Sequence, residues 1–181
     1  MKINLGAGRE RLPGWTSMDL DTDARPDVIG DVSHLRDFFA DGTVDELRAV
    51  DVLEHISWQD TVVTLQEWFM VLKPGGTIYI QAPDADAIMA DYVFGDPEGR
   101  LQVGLPLDLR QAPLIVQTAW RLLGGHYDGD IVRRPGRWHL NAHNALFSES
   151  WLRTALERVG FEVDRIERNP HPNLLCWAHR P

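Results

Sequence analysis

The most constraining feature of the chain lies at its start, where Ile3-Asn4-Leu5 runs directly into Gly6-Ala7-Gly8. A short apolar strand that ends on glycines suits the carboxyl edge of an open α/β sheet, where ligands bind near the point at which strand order reverses. Glycines there let the backbone approach a ligand with no Cβ in the way. Asp19 follows 11 residues after Gly8. A carboxylate ending the second strand can accept both hydroxyls of a ribose. In a dinucleotide-binding unit that acid falls about 20 residues on, because a full helix intervenes. Here the interval holds Arg9-Glu10-Arg11-Leu12-Pro13-Gly14, too short and too broken for three helical turns. A pyrophosphate would lose the helix N-terminus it needs. The spacing therefore disfavours NAD or FAD and remains compatible with a nucleoside ligand that lacks a pyrophosphate.

Further elements follow from the pattern of apolar runs and turn residues. Strands are expected at Trp15 to Leu20, Val28-Ile29, Glu46 to Val50 and Thr77 to Ala82. Thr61 to Leu72 carries Val62, Leu65, Trp68, Phe69 and Leu72 at helical spacing, with Lys73-Pro74-Gly75-Gly76 read as the turn that stops it. Those glycines follow a helix, so they do not form a phosphate-cradling loop, which precedes one. Ala85 to Phe94 and Pro113 to Leu123 read as helices within an otherwise irregular middle. Ser148 to Val159 reads as a helix with Ser148 as its N-cap and Gly160 at its end, before strands at Phe161 to Ile166 and Asn173 to His179. Strands alternating with helices and crossovers predict an α/β fold with a mainly parallel sheet.

Composition narrows the function. The chain has 181 residues, enough for one core, and 18 basic against 27 acidic residues, a net charge of −9. That disfavours a general nucleic-acid partner, which must neutralise many phosphates. One cysteine, Cys176, excludes a disulfide framework and a cysteine zinc cluster. No apolar run approaches a membrane span and no signal-peptide pattern opens the chain, so a soluble, cytoplasmic protein is expected. Six arginines (Arg100, Arg110, Arg121, Arg133, Arg134, Arg137) against four acids make residues 97–138 net positive. That segment is either a solvated surface or a basic lip over a pocket for an anionic substrate. Trp120 and Trp138 within it are core residues or pocket walls. His126, His139 and His143 cluster in sequence but lack a metal-protease spacing, so no metal is expected.

Taken together, these stretches resemble the class I S-adenosylmethionine-dependent methyltransferases, in the compact subgroup (methyltransferase type 11-like) whose first helix is replaced by a short Pro-Gly-aromatic loop. The resemblance rests on Leu5-Gly6-Ala7-Gly8 with Pro13-Gly14-Trp15 and Asp19, then Asp27-Val28-Ile29-Gly30-Asp31, Val44-Asp45-Glu46 and Val52-Leu53-Glu54-His55. It continues through Glu67-Trp68, Val71-Leu72-Lys73-Pro74-Gly75-Gly76 and Pro83-Asp84, and resumes weakly at His143 and Phe147 to Phe161. It implies a Rossmann-like, doubly wound sheet with a helical or irregular insert after the fifth strand. One methyltransferase domain would span residues 1–181: a cofactor-binding half at 1–83, a substrate-side lid at 84–141, and a C-terminal helix and strands at 142–181.

The resemblance also implies roles. Gly6, Ala7 and Gly8 would face the methionine part of S-adenosylmethionine, Asp19 the ribose, and Leu20 the adenine face. Asp31 would accept from the adenine amino group, with the N–H of Val32 beside it. Val50 or Asp51 would lie near the ammonium and sulfonium, unless Asp51 instead caps the helix that follows. His55, at a strand-to-helix junction, reads as a structural, hydrogen-bonded group. A methyl transfer to an alcohol needs a base, and His143 is the first candidate, His139 the second. The expected reaction leaves S-adenosylhomocysteine and methylates an oxygen or nitrogen of a small-molecule or glycan-like acceptor, an anionic one if the arginine-rich segment forms a basic lip. The alternatives are a non-catalytic protein that binds S-adenosylmethionine or S-adenosylhomocysteine, and a nicotinamide-dependent oxidoreductase.

Overall fold

The computed structural model describes residues 1–102, 105, 109–124 and 142–181. A seven-stranded sheet runs through it in the spatial order β3-β2-β1-β4-β5-β7-β6. The strands are β1 (Lys2–Leu5), β2 (Thr16–Asp19), β3 (Val28–Ile29), β4 (Val44–Val50), β5 (Leu72–Pro83), β6 (Glu162–Arg168) and β7 (Asn173–His179). β1, β2, β3, β4 and β5 pair in parallel, and only β7 runs antiparallel, between β5 and β6. Strand order reverses beside β1, so the loops after β1 and β4 open at the same carboxyl edge. The mainly parallel, doubly wound sheet expected from the sequence is the fold observed.

Burial explains which strands take the centre. Ile3, Leu5, Leu47, Ala49, Ile78, Ile80 and Ala82 are all buried, as parallel strands covered on both faces require. β6 lies at an edge and exposes Glu162, Asp164, Arg165, Glu167 and Arg168, charges that discourage pairing with another chain.

Among the described residues four helices accompany the sheet: α1 (Thr61–Val71), α2 (Ala85–Phe94), α3 (Leu114–Leu123) and α4 (Glu149–Val159). α1 packs against α4 and against the 3-10 turn Val32–Asp37. Trp68 on α1 is fully buried and its indole Nε1 donates to the carbonyl of Val32 at 2.8 Å. Ser148 caps α4 as expected, accepting from the N–H of Trp151 at 3.2 Å. Asp84 caps α2 by accepting from the N–H groups of Asp86 and Ala87, and its buried carboxylate also pairs with Arg168.

Two expectations need correction. Lys73-Pro74-Gly75-Gly76 is not a turn that separates helix from strand. β5 starts at Leu72, immediately after α1, and contains those residues as an irregularity. Leu72 pairs with Val44 and Thr77 with Glu46, so the extra residues bulge out of the ladder. Gly75 N–H donates to the carbonyl of Arg180 at 2.7 Å, and Arg180 N–H to Gly76 at 2.9 Å, so the end of the chain satisfies the bulge. Asp51 does not cap a following helix, because a 3-10 turn rather than a helix comes next. Residues Leu53–His55 form a 3-10 turn without a side-chain cap, and Asp51 sits before it in the left-handed region at φ +53°.

Candidate functional site

The segment between β1 and β2 contains no helix, as the short Gly8 to Asp19 interval requires. No helix N-terminus opens there for a pyrophosphate. Side chains replace the missing helix in holding the loop. Asn4, only 1% exposed, donates to Glu10 at 3.0 Å, and Arg48 on β4 donates to both Asn4 (2.8 Å) and Glu10 (2.6 Å). Arg11 reaches the carbonyl of Gly8 at 3.0 Å and that of Arg25 at 2.6 Å. Gly6 and Gly8 both have positive φ, +57° and +49°. A Cβ on Gly8 would meet nothing within 4 Å, so this face of the loop borders open space.

Asp19 binds that loop directly. One carboxylate oxygen accepts from the N–H of Gly8 at 2.7 Å, the other from the N–H of Asp21 at 2.7 Å. A carboxylate offers about four acceptor positions, so it retains acceptor capacity for hydroxyls. Leu20 beside it is 53% exposed, a large apolar side chain available to cover a flat ring. Asp31 begins the 3-10 turn after β3 and accepts from the N–H and hydroxyl of Ser33 at 2.9 and 2.7 Å through one oxygen. Asp19 and Asp31 are neighbours through the β2–β3 pairing, in which Gly30 N–H donates to the carbonyl of Asp19 at 3.1 Å. Val32 is buried, with its carbonyl taken by Trp68.

Val50 and Asp51 end β4 at the same edge, next to the end of β5. Asp51 N–H donates to the carbonyl of Gln81 at 3.0 Å, and the Gln81 amide donates back to the Asp51 carboxylate at 3.1 Å. This pair holds a non-glycine residue in a conformation that costs roughly 1–2 kcal/mol. Strain retained in this way concentrates at functional sites. The glycine loop and the ends of β2, β3 and β4 thus bring Gly6, Ala7, Gly8, Asp19, Leu20, Asp31, Val32, Val50 and Asp51 to one edge. An open-faced glycine loop beside two carboxylates and an exposed apolar side chain fits an adenosine with an amino-acid tail.

A second cluster adjoins the first. Glu54 is 1% exposed, and its Oε2 has no hydrogen-bond partner among the described residues. Burial, with the charge of Asp51 adding to it, pushes the Glu54 carboxyl up to about 8. His143 comes to this place from the far side of the middle segment, so its ring and that of His55 meet edge to face with centroids 5.2 Å apart. Backbone bonds stitch the two segments: Asn144 and Ala145 N–H donate to the Glu54 carbonyl at 2.7 and 3.1 Å, and the Asn144 amide donates to that of His55 at 2.8 Å. His55 Nδ1 lies 3.2 Å from the carbonyl of Ala142, the hydrogen-bonded setting read for it from sequence. Sequence reasoning singled out His143 but not Glu54. The signal was an acid–histidine pair directly after a strand end, and burial alone distinguishes it from a solvated one.

α3 closes on this cluster. The carbonyl of Leu123 accepts from the N–H of His143 at 2.9 Å. Arg121 donates to the carbonyl of Arg100 at 3.2 Å, while its buried Nε has no hydrogen-bond partner among the described residues. Burial depresses its guanidinium, against the opposing charges of Asp51 and Asp96. Arg100 is committed to Asp91, and Arg110 to the carbonyl of Leu105. His126, His139, Trp138, Arg133, Arg134 and Arg137 lie outside the described residues.

Comparison with known proteins bears on the fold. The sequence profile of a methyltransferase domain family matches residues 15–80. No curated protein matches the chain in sequence. Among solved structures, a 1,6-didemethyltoxoflavin-N1-methyltransferase from Burkholderia thailandensis, with 1,6-didemethyltoxoflavin and S-adenosylhomocysteine bound, superposes with a TM-score of 0.60. It shares 17% identity, and the match covers 99% of this chain and 70% of that one. An S-adenosylmethionine-dependent methyltransferase from Mesorhizobium loti gives a TM-score of 0.59 at 16% identity, over 99% and 90% of the two chains. Another from Clostridium acetobutylicum gives 0.61 at 11% identity, over 99% and 83%. At these identities the likeness is one of fold. No helix among the described residues is long and apolar enough to cross a membrane.

Proposed function

We propose that the chain is a class I S-adenosylmethionine-dependent methyltransferase that methylates an oxygen or nitrogen of a small-molecule or glycan-like acceptor carrying an anionic group, a reading supported by the methyltransferase-domain match over residues 15–80 and by the shared fold. When bound, S-adenosylmethionine supplies a methyl group already activated on a sulfonium. The carrying observation is the carboxyl edge itself, where Asp19 clamps the open-faced glycine loop and Asp31 stands beside it. In this reading the remaining acceptor positions of Asp19 take the ribose hydroxyls, and Leu20 covers the adenine. Asp31 accepts from the adenine amino group beside the N–H of Val32. Gly6, Ala7 and Gly8 line the methionine portion, with Val50 and Asp51 near its ammonium.

The protein's main work is alignment. Holding acceptor and methyl donor at near-attack distance contributes roughly 7–11 kcal/mol. In this reading α2 and α3 belong to the lid that excludes water and selects the acceptor. Arg121 supports an anionic acceptor, because its buried Nε, which has no hydrogen-bond partner among the described residues, would be stabilised by an incoming carboxylate or phosphate. His143, fixed through its own N–H by α3, takes the proton that an alcohol acceptor loses, a contribution of roughly 10²–10⁴-fold. His139 is the second candidate for that role. The N1-methyltransferase that shares the fold acts on a small molecule, which supports the acceptor class. The net charge of −9 weighs against a general nucleic-acid partner.

Calorimetry with S-adenosylhomocysteine, followed by a tritiated-methyl transfer screen over sugars, lipid precursors and small acids, tests this. Asp19→Ala should weaken S-adenosylhomocysteine binding at least tenfold. Arg121→Ala should lower kcat/KM for acidic acceptors at least tenfold more than for their neutral analogues. A folded protein that gives no heat with S-adenosylhomocysteine overturns the cofactor site, and equal losses for both acceptor classes overturn the anionic one.

A further inference from the structure

We propose that Glu54, His55 and His143 form a binding site for a single divalent transition-metal ion of the zinc type. One carboxylate oxygen and one nitrogen from each imidazole all lie within 4.8 Å of one another. Ligands on one zinc ion stand at most about 4 Å apart, given bonds of roughly 2.0–2.2 Å. Side-chain adjustments of less than about 1 Å would therefore close the set.

Three further observations favour a cation over a chance grouping. Glu54 is 1% exposed, and its Oε2 has no hydrogen-bond partner among the described residues, an acceptor whose burial is costly until something positive meets it. His55 Nδ1 faces the carbonyl of Ala142 at 3.2 Å, which leaves Nε2 as the nitrogen to serve as its ligand atom. Metal-binding histidines are oriented in this way, with the other ring nitrogen on a backbone carbonyl. The frame is also set in advance, since the bonds from Asn144 and Ala145 to Glu54, from Asn144 to His55 and from His143 to Leu123 fix both segments.

The donor set selects the ion. Two imidazoles and one carboxylate suit zinc and its first-row neighbours, whereas magnesium and calcium prefer oxygen. Three protein ligands leave a coordination position open. The site stands apart from the methyl-transfer reading, but the two meet at His143. A bound cation takes the ring lone pair that would otherwise accept a proton, so zinc would inhibit methylation of an alcohol.

The test is calorimetry of the tag-free, chelator-stripped full chain with zinc chloride, joined to the visible spectrum of its cobalt(II) form. One zinc per chain is expected, with an affinity at least tenfold weaker in Glu54→Gln and in His143→Ala. Both variants should keep the wild-type far-ultraviolet circular dichroism. A d–d absorption band of cobalt in the wild type should be lost in His143→Ala. Absence of saturable zinc binding overturns the proposal, as do unchanged affinities in both variants or magnesium binding as tight as zinc. A protein that binds S-adenosylhomocysteine but not zinc refutes this site alone, and one that binds zinc but not S-adenosylhomocysteine refutes only the methyltransferase reading.

Discussion

Gly6 tests whether the glycine loop after β1 is held by steric fit. A Cβ built on it would stand 2.3 Å from Cγ2 of Val52, 3.2 Å from Cγ1 and 3.3 Å from Cβ. Val52 is 6% exposed and β-branched, so it has little freedom to turn away. Gly6 also sits at φ +57°, where a side chain costs roughly 1–2 kcal/mol. Overpacking a filled interior adds roughly 1–3 kcal/mol. Gly6→Ala should therefore destabilise the fold by about 2–5 kcal/mol. Val52→Ala removes the two methyl groups that clash. In that background Gly6→Ala should cost only the conformational part, about 1–2 kcal/mol. Urea unfolding of all four proteins, followed by tryptophan fluorescence, gives the coupling between the two sites as a double-mutant cycle. A coupling of about 1–3 kcal/mol is expected, equal to the overpacking part alone. The reasoning fails if Gly6→Ala costs the same with and without Val52, because the loop would then yield freely.

Two more outcomes follow from the same contacts. Trp68→Phe deletes the indole donor to Val32 and opens a cavity beside the turn that carries Asp31, so it should cost about 2–4 kcal/mol in urea unfolding. A loss below about 1 kcal/mol would contradict that account. Asp45 accepts from Lys73 and from the amino group of Met1, which together lower its carboxyl from 3.8 to about 2. Its contribution is present above the unfolded-state value and fades as the pH falls through the folded one. The stability difference between wild type and Asp45→Asn should thus be constant above pH of about 5 and should vanish toward pH of about 2. A difference that persists at the acid end would assign the effect to something other than the charge.

Much of the fold was legible because its signals are local. α2 begins after Asp84 and ends at Gly95, and α4 begins after Ser148 and ends at Gly160, since capping side chains and left-handed glycines act within a few residues. The absence of a helix after Gly8 followed from chain length alone. The start of β5 was not legible. Pro74 and two glycines read as a stop, yet pairing with β4 and with Arg180 keeps those residues in the strand. The carboxylates of Asp19 and Asp31 could be named in advance because one ends a strand and the other follows one within two residues. That Asp19 first serves the loop, through Gly8, is a long-range contact that no local pattern encodes.

Order along the chain, helix ends, the shortened first loop and the acids at the strand tips were written in the residues themselves. The antiparallel insertion of β7 between β5 and β6 came only with tertiary structure, as did the loop network of Asn4, Glu10 and Arg48 and the seat shared by Glu54, His55 and His143. The division has one physical cause. Propensity and capping depend on neighbours in sequence, whereas burial, desolvation and pairing depend on neighbours in space. Glu54 looks like any surface acid until segments far apart in the chain close over it and take it from water.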